Sequence, residues 1–235
     1  MNTRRRRSRI RVTRKAFVNA LKKIYPACKH DESQQHELYD GHKITYGEMD
    51  YEGLARLFKH VQKMSPQINT FIDVGSGRGK LCLFMASSAK IKKAIGIELV
   101  KARHEDALCL QNKVPGEYAK NVNFINANVF DVDLESEIPE DPYVFVWFSN
   151  LCFEQNTTND IFDKLAKELP AGSTICCSKI YSTDKIYSES KSTDAKIYST
   201  DEKSGDKTSL KFIESIPIEM SWSKTSNVHI YKTSN

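Results

Sequence analysis

From Thr70 onward the chain alternates short apolar runs with stretches of helical periodicity: 70 to 74, then a helix over 78 to 89; 94 to 98, then 100 to 112; 122 to 126; 143 to 148, then 156 to 168; and 173 to 179. Such runs predict strands of a parallel sheet, because parallel neighbours need a long crossover and the crossover lays a helix over the sheet. The tail breaks this rhythm. Its stretches 210 to 218 and 227 to 232 have strand character with no helix between them, so they predict an antiparallel hairpin on the sheet edge. The expected fold is therefore α/β, a mostly parallel seven-stranded open sheet with a C-terminal antiparallel hairpin. With 235 residues, 40% of them hydrophobic, the chain can bury one sizeable core.

Upstream, Thr13 caps a predicted helix whose Phe17, Leu21 and Ile24 share a face and which Pro26 ends. A polar stretch over 30–43 reads as an exposed loop. A second helix carries Tyr51, Leu54, Phe58 and Val61 to a stop at Ser65-Pro66. The expected organisation is a disordered arm over 1–12, a helical segment with a loop over 13–66, and the sheet domain over 67–235. Inside that domain a degenerate repeat reads Lys-Ile-Tyr-Ser-Thr-Asp at 179–184, Lys-Ile-Tyr-Ser-Glu-Ser at 185–190 and Lys-Ile-Tyr-Ser-Thr-Asp at 196–201. Its period is too short for a solenoid, and its composition predicts an expanded flexible loop over 180–208 whose Ile-Tyr pairs are candidates for a hairpin or a partner contact.

The net charge of +5 hides an asymmetry: ten of the 35 basic residues and none of the acids lie in 1–23, leaving 25 basic against 30 acidic groups in the body. The arm Arg4-Arg5-Arg6-Arg7-Ser8-Arg9-Ile10-Arg11 suits phosphate neutralisation or recognition by nuclear import machinery. A solvated tail or a mitochondrial presequence are the competing readings. No stretch has the length of a membrane span and the start lacks a secretory apolar centre, so a soluble intracellular protein is expected. Cys28, Cys82, Cys109, Cys152, Cys176 and Cys177 lack metal-ligand spacing and read as small core residues, with neither disulfides nor a metal expected.

The first strand ends in Asp73-Val74-Gly75-Ser76-Gly77-Arg78-Gly79, where a ligand of an open α/β sheet binds. Gly75 permits a tight turn, Gly77 a close ligand approach and Gly79 close helix packing. The third glycine comes one residue earlier than in a dinucleotide loop, and the Asp73 carboxylate would repel a pyrophosphate. It would attract a cationic amino-acid moiety such as the ammonium and sulfonium end of S-adenosylmethionine. Glu98, at the second strand's end, can accept both ribose hydroxyls. At the third strand's end Asn128 can accept from the adenine amino group while Val129 packs on the ring, with Asp131 as the competing acceptor.

At this point the chain resembles the Dot (disruptor of telomeric silencing) family of histone lysine methyltransferases, which lack the SET domain. The resemblance runs from about Thr45 to Tyr231. Tyr46-Gly47-Glu48 is similar to the family's YGE loop over the cofactor, and 73–80 to its DxGSGxGQ loop, with Lys80 where glutamine is usual. The stretch from Phe148 to Phe153 resembles VNNFxF, Ser178-Lys179 resembles SSK, and Ser221-Trp222-Ser223 resembles SWT, whose tryptophan lines a lysine channel. Three positions depart from the pattern: only one of the paired asparagines, Asn150, is present, Asn128 replaces an aspartate, and His229 stands where the channel tyrosine is expected. Tyr231, on the same strand face, is the candidate substitute.

The resemblance implies a Rossmann-like class I methyltransferase that carries a methyl group from S-adenosylmethionine to a histone lysine in nucleosomes. It implies Phe153, Trp222 and His229 or Tyr231 as channel walls and Asn150 as the residue positioning the reacting atoms. Trp222 has a competing reading as a core aromatic between hairpin and sheet. The arm is the expected contact to nucleosomal DNA, and the protein is expected to be nuclear and monomeric. Three alternatives stay open: a nucleic-acid methyltransferase, against which the absence of an (N/D)PP(Y/F)-like motif after the fourth strand counts; a non-histone protein lysine methyltransferase; and a non-enzymatic nucleosome-binding module.

Overall fold

The computed structural model describes residues 13–28, 38–39, 42–43, 48–140, 142–181, 197–199, 209–220 and 223–234. The 1–12 arm, Tyr46, Gly47, Trp222 and most of the repeat lie outside them. The element order is α1 (Arg14–Ile24), β1 (Leu38–Tyr39), β2 (His42–Lys43), α2 (Tyr51–Met64), β3 (Thr70–Val74), α3 (Lys80–Ala86), β4 (Lys93–Glu98), α4 (Lys101–Lys113), α5 (Gly116–Ala119), β5 (Val122–Asn126), α6 (Leu134–Glu137), β6 (Val144–Phe148), α7 (Gln155–Glu168), β7 (Thr174–Cys177), β8 (Ile197–Ser199), β9 (Ser209–Met220) and β10 (Ser223–Ser234).

The main sheet runs β5-β4-β3-β6-β7-β10-β9-β8. Strands β5, β4, β3, β6 and β7 are parallel, and β10 enters antiparallel between β7 and β9. The seven expected strands are all present with the expected directions. Alternate residues of each central strand feed two cores. Phe71 and Phe145 meet α1, α2 and α3 on one face, whereas Ile72 and Val146 meet α7 on the other.

α1 forms as its pattern predicts. Thr13 Oγ1 accepts from the Ala16 amide at 3.3 Å, and Phe17 and Leu21 are fully buried, which contributes roughly 1.5–3 kcal/mol each. α2 buries Leu54, Leu57, Phe58 and Val61, and Ser65 caps it before Pro66. α3 is shorter than the predicted 78–89. Gly79 takes the left-handed region at φ 74° and delays the start to Lys80, while the Ser87 hydroxyl donates to the Phe84 carbonyl at the other end.

Two expectations change. The 30–43 stretch, read as a loop, contains the two-residue antiparallel β1–β2 ladder, Leu38 opposite Lys43 and Tyr39 opposite His42. The repeat, read as a flexible loop, contributes order at both of its ends. Its first copy continues β7 into the core, where Tyr181 is buried against Phe162 and donates to Asp163 at 2.8 Å. Its third copy supplies β8, which pairs with the Ser209–Lys211 end of β9 and makes an eighth strand.

Cys82, Cys176 and Cys177 are buried in the two cores. No helix among the described residues is long and apolar enough to cross a membrane.

Candidate active site

The tips of β3, β4 and β5 form one half of the site. The bend after β3 puts Gly75, Gly77 and Gly79 at positive φ, and the amides of Gly75 and Ser76 both reach the Ile97 carbonyl at 2.9 Å. Gly79 has no room for a side chain: a Cβ would lie 2.4 Å from the Phe124 ring and 2.8 Å from Ala107. At Gly75 the same atom would meet nothing within 4 Å, so the bend is open on that side.

Asp73 is buried in this bend. Burial first, then the neighbouring charges of Glu98 and Glu48, push its carboxyl well above the usual range, and Lys80 opposes them. Glu98 is also buried and also pushed up, less so because it accepts from the Val100 amide at 2.8 Å and the Gly77 amide at 2.7 Å. A carboxylate offers about four acceptor positions, so Glu98 keeps capacity for hydroxyl donors.

Glu48 joins these groups from the segment before α2, pairing with Lys80 Nζ at 2.6 Å through Oε2. Lys80 sits over the rings of Tyr25 and Tyr51. Ser76 Oγ is buried without a hydrogen-bond partner. Glu48 and Asp73 facing Lys80, with Glu98 beside Arg103 and an orphaned hydroxyl at Ser76, favour a ligand carrying positive charge and a hydrogen-bonding group. The methionyl half of S-adenosylmethionine fits that donor set.

At the tip of β5 the Asn128 side-chain oxygen Oδ1 accepts from the Phe130 amide at 3.2 Å and starts the turn Val129–Asp131. Its first duty is thus a cap, and an adenine amine would share that oxygen. Val129 is buried in the turn and Asp131 is exposed.

The tips of β6, β7 and β10 form the other half. Asn150 is fully buried, and its side chain reads the backbone across the sheet: Oδ1 accepts from the Ser178 amide at 2.9 Å and the Lys179 amide at 2.7 Å, and Nδ2 donates to the Lys179 carbonyl at 3.1 Å. Its amide shapes the strand tips. Lys179 Nζ closes the same knot on the Phe153 carbonyl at 2.6 Å. The Phe153 ring, half-buried, packs edge-on to Phe148. His229 stands opposite Cys177 in the register, with Nδ1 2.7 Å from Ser215 Oγ. Burial lowers the His229 pKa, which keeps the ring neutral near pH 7.

Tyr231 does not line a channel. It lies two residues deeper on β10, is 1% exposed between Phe162 and Phe212, and its hydroxyl accepts from the Tyr181 amide at 3.1 Å. The reason is geometric: β10 runs away from the strand tips after His229, so the next residue on that face enters the core. Trp222 lies outside the described residues, although its neighbour Met220 bridges Met49, next to Glu48. Met49, which follows Glu48, and the end of β9 thus meet.

Sequence reading missed Tyr25 and Arg78. Arg78 is buried against Asp106 at 3.1 Å and donates to the Tyr25 carbonyl at 2.9 Å. A charged residue between two glycines of the loop was the available signal.

Among solved structures, the glycopeptide N-methyltransferase MtfA aligns over 79% of this chain and 97% of its own, with TM-score 0.53 at 10% identity. Phosphoethanolamine N-methyltransferase 1 of Haemonchus contortus covers 94% of this chain and 50% of its own, with TM-score 0.51 at 10% identity. Likeness at that identity establishes the class I methyltransferase fold. A histone-lysine N-methyltransferase of Caenorhabditis elegans, named as specific for H3 lysine-79, is 29% identical over 147 residues, 60% of this chain and 15% of that protein. Its namesake in Drosophila melanogaster is 37% identical over 78 residues, 33% of this chain and 4% of that protein. The chain thus spans a small fraction of the length of these relatives. The model of the family described as histone methylation protein DOT1 matches residues 25–232, almost the whole of the sheet domain and its N-terminal cover, and the chain belongs to that family.

Proposed function

We propose that this chain is an S-adenosylmethionine-dependent protein lysine N-methyltransferase acting on a histone lysine in nucleosomes. The observation that carries the reading is the convergence of buried Asp73 and Glu98 and partly buried Glu48 on an open glycine bend, with Lys80 paired to Glu48 and acting on Asp73. Asp73 and Glu48 are placed for the donor's ammonium, Lys80 for its carboxylate, Glu98 for its ribose, and Val129 and Asn128 for its adenine. By resemblance to the YGE loop, Tyr46 and Gly47, which lie outside the described residues, are assigned to the donor's cover with Glu48. When bound, the donor supplies an activated methyl group on a positively charged sulfur.

The chain's own residues prepare the acceptor. An exposed lysine amine has a pKa of about 10.4 and is mostly protonated at neutral pH, so an apolar wall that disfavours charge helps present it neutral. Phe153 and neutral His229 are assigned to that wall, and the resemblance adds Trp222, which lies outside the described residues. Asn150 positions the β6 and β7 tips between which the amine enters. Catalysis is then orientation and exclusion of water, with no strong general base.

Two further assignments belong to the proposal: the Arg4–Arg11 arm neutralises DNA phosphates, and the protein works as a nuclear monomer. The target that the relatives are named for, lysine 79 of histone H3, is the first to test. Incubation with labelled donor and, in parallel, free histones, nucleosomes, DNA and RNA decides the substrate class: label on a histone lysine is expected, and label on nucleic acid overturns the reading. Deletion of residues 1–12 is expected to weaken nucleosome binding and flatten its salt dependence.

A further inference from the structure

Tyr25 follows α1 directly and touches both walls of the donor pocket. Its hydroxyl bonds Glu48 Oε1, and its carbonyl accepts from Arg78. Its ring lies 4.2 Å from the Arg78 guanidinium carbon and 5.6 Å from Lys80 Nζ. Arg78 belongs to the glycine bend, and Glu48 belongs to the segment that covers it. One side chain therefore joins the floor of the pocket to its cover.

We propose that Tyr25 is a positioning residue of the donor site, acting on the amino-acid half of the donor through Glu48 and Lys80. This rests on the donor reading given above. The order of strands fixes which half is concerned. With adenine at the β5 tip and ribose at Glu98 on β4, the amino-acid half falls at the β3 bend and the first turn of α3, where Asp73, Glu48 and Lys80 influence one another.

The chemistry follows from the charges. The amino-acid half is a zwitterion and needs one negative and one positive partner. Left to itself, a Glu–Lys pair satisfies its own charges. The Tyr25 hydroxyl donates to Oε1 of Glu48 while Lys80 Nζ donates to Oε2 at 2.6 Å, and an ammonium with three N–H donors keeps others for a carboxylate. The hydroxyl also fixes the carboxylate, which lowers the ordering cost of binding.

Tyr25→Phe removes the hydroxyl and keeps the ring on Arg78. Calorimetric titration compares the full-length wild type, Tyr25→Phe, Glu48→Ala and the double variant, using S-adenosylmethionine and methylthioadenosine, which lacks the amino-acid half. Tyr25→Phe is expected to weaken S-adenosylmethionine roughly three- to tenfold, with methylthioadenosine changed less than about twofold and the melting temperature near wild type. In the Glu48→Ala background the same change should add less than about twofold, because its effect runs through Glu48. Equal weakening of both ligands, additive losses or unaltered S-adenosylmethionine affinity overturns the inference. A wild type that binds no S-adenosylmethionine overturns the donor reading and this inference together; a wild type that binds while Tyr25→Phe is unchanged overturns this one alone.

Discussion

The β3–β4–β5 tips and the β6–β7–β10 tips share one end of one sheet, yet they are held together differently. The first half is shaped by its own backbone: positive-φ glycines, adjacent strand carbonyls and Glu98 taking the amides of Gly77 and Val100. The charges of Asp73, Glu48 and Lys80 lie beside that bend. The second half is shaped by side chains reaching across the chain, Asn150 to 178–179, Lys179 to Phe153 and Tyr231 to Tyr181. In the first half most of the shape comes from the backbone, with Glu98 contributing to it as well, whereas in the second half the side chains that carry the motif themselves hold the strands.

The largest effect should come from attacking architecture in the donor half. Gly79→Ala forces a Cβ into Phe124 at a left-handed backbone position, so a loss of about 3–5 kcal/mol in denaturant unfolding is expected. A mild loss would show that Phe124 yields and the half is looser than drawn.

Asn150→Ala comes next. It leaves two amides and a carbonyl without their buried partner and should cost about 2–3 kcal/mol. Methyl transfer should fall while donor affinity stays within about twofold. A matching loss of donor affinity would break the separation of the halves.

Asp73→Asn tests charge without architecture. Donor affinity should drop roughly tenfold, about 1.4 kcal/mol, in calorimetry. The pH dependence has a definite sign. Because the folded Asp73 pKa is raised by burial, the carboxyl is protonated over a wider acidic range than usual, and donor affinity should rise with pH as it ionises. Without donor, the stability linked to this group is fully present below the ordinary carboxylate pKa and is lost as pH rises through the raised one. Asp73→Asn should flatten both slopes; unchanged slopes would assign them to another group.

The smallest effect is expected at Gly75→Ala, where a Cβ meets nothing and only the backbone position is strained, about 1 kcal/mol. Set beside Gly79→Ala, it separates strain from packing within one bend.

The sheet was legible because its strands announce themselves by an apolar run and, for β3, β4 and β6, by the helix that follows. β3 and β5 span the predicted 70–74 and 122–126. The glycine bend was legible for a related reason: Asp73 and Glu98 lie at the carboxyl ends of β3 and β4, so finding the strand finds the residue. The acceptor side was harder. His229 and Tyr231 share a strand face and look interchangeable in sequence, and the direction of β10 past the tips leaves His229 beside the tips and carries Tyr231 into the core. Tyr25 had no signal of its own, since its partners lie 23 and 53 positions away.

The repeat marks the boundary most sharply. Lys-Ile-Tyr-Ser recurs unchanged, yet the copy after β7 buries Tyr181 while the last copy forms edge strand β8. Local sequence by itself determined strands, turns and the glycine bend, because those depend on the residues' own backbone preferences and periodicity. Which residues share a pocket was decided only in the tertiary structure, because burial and hydrogen-bond partners come from segments far apart along the chain.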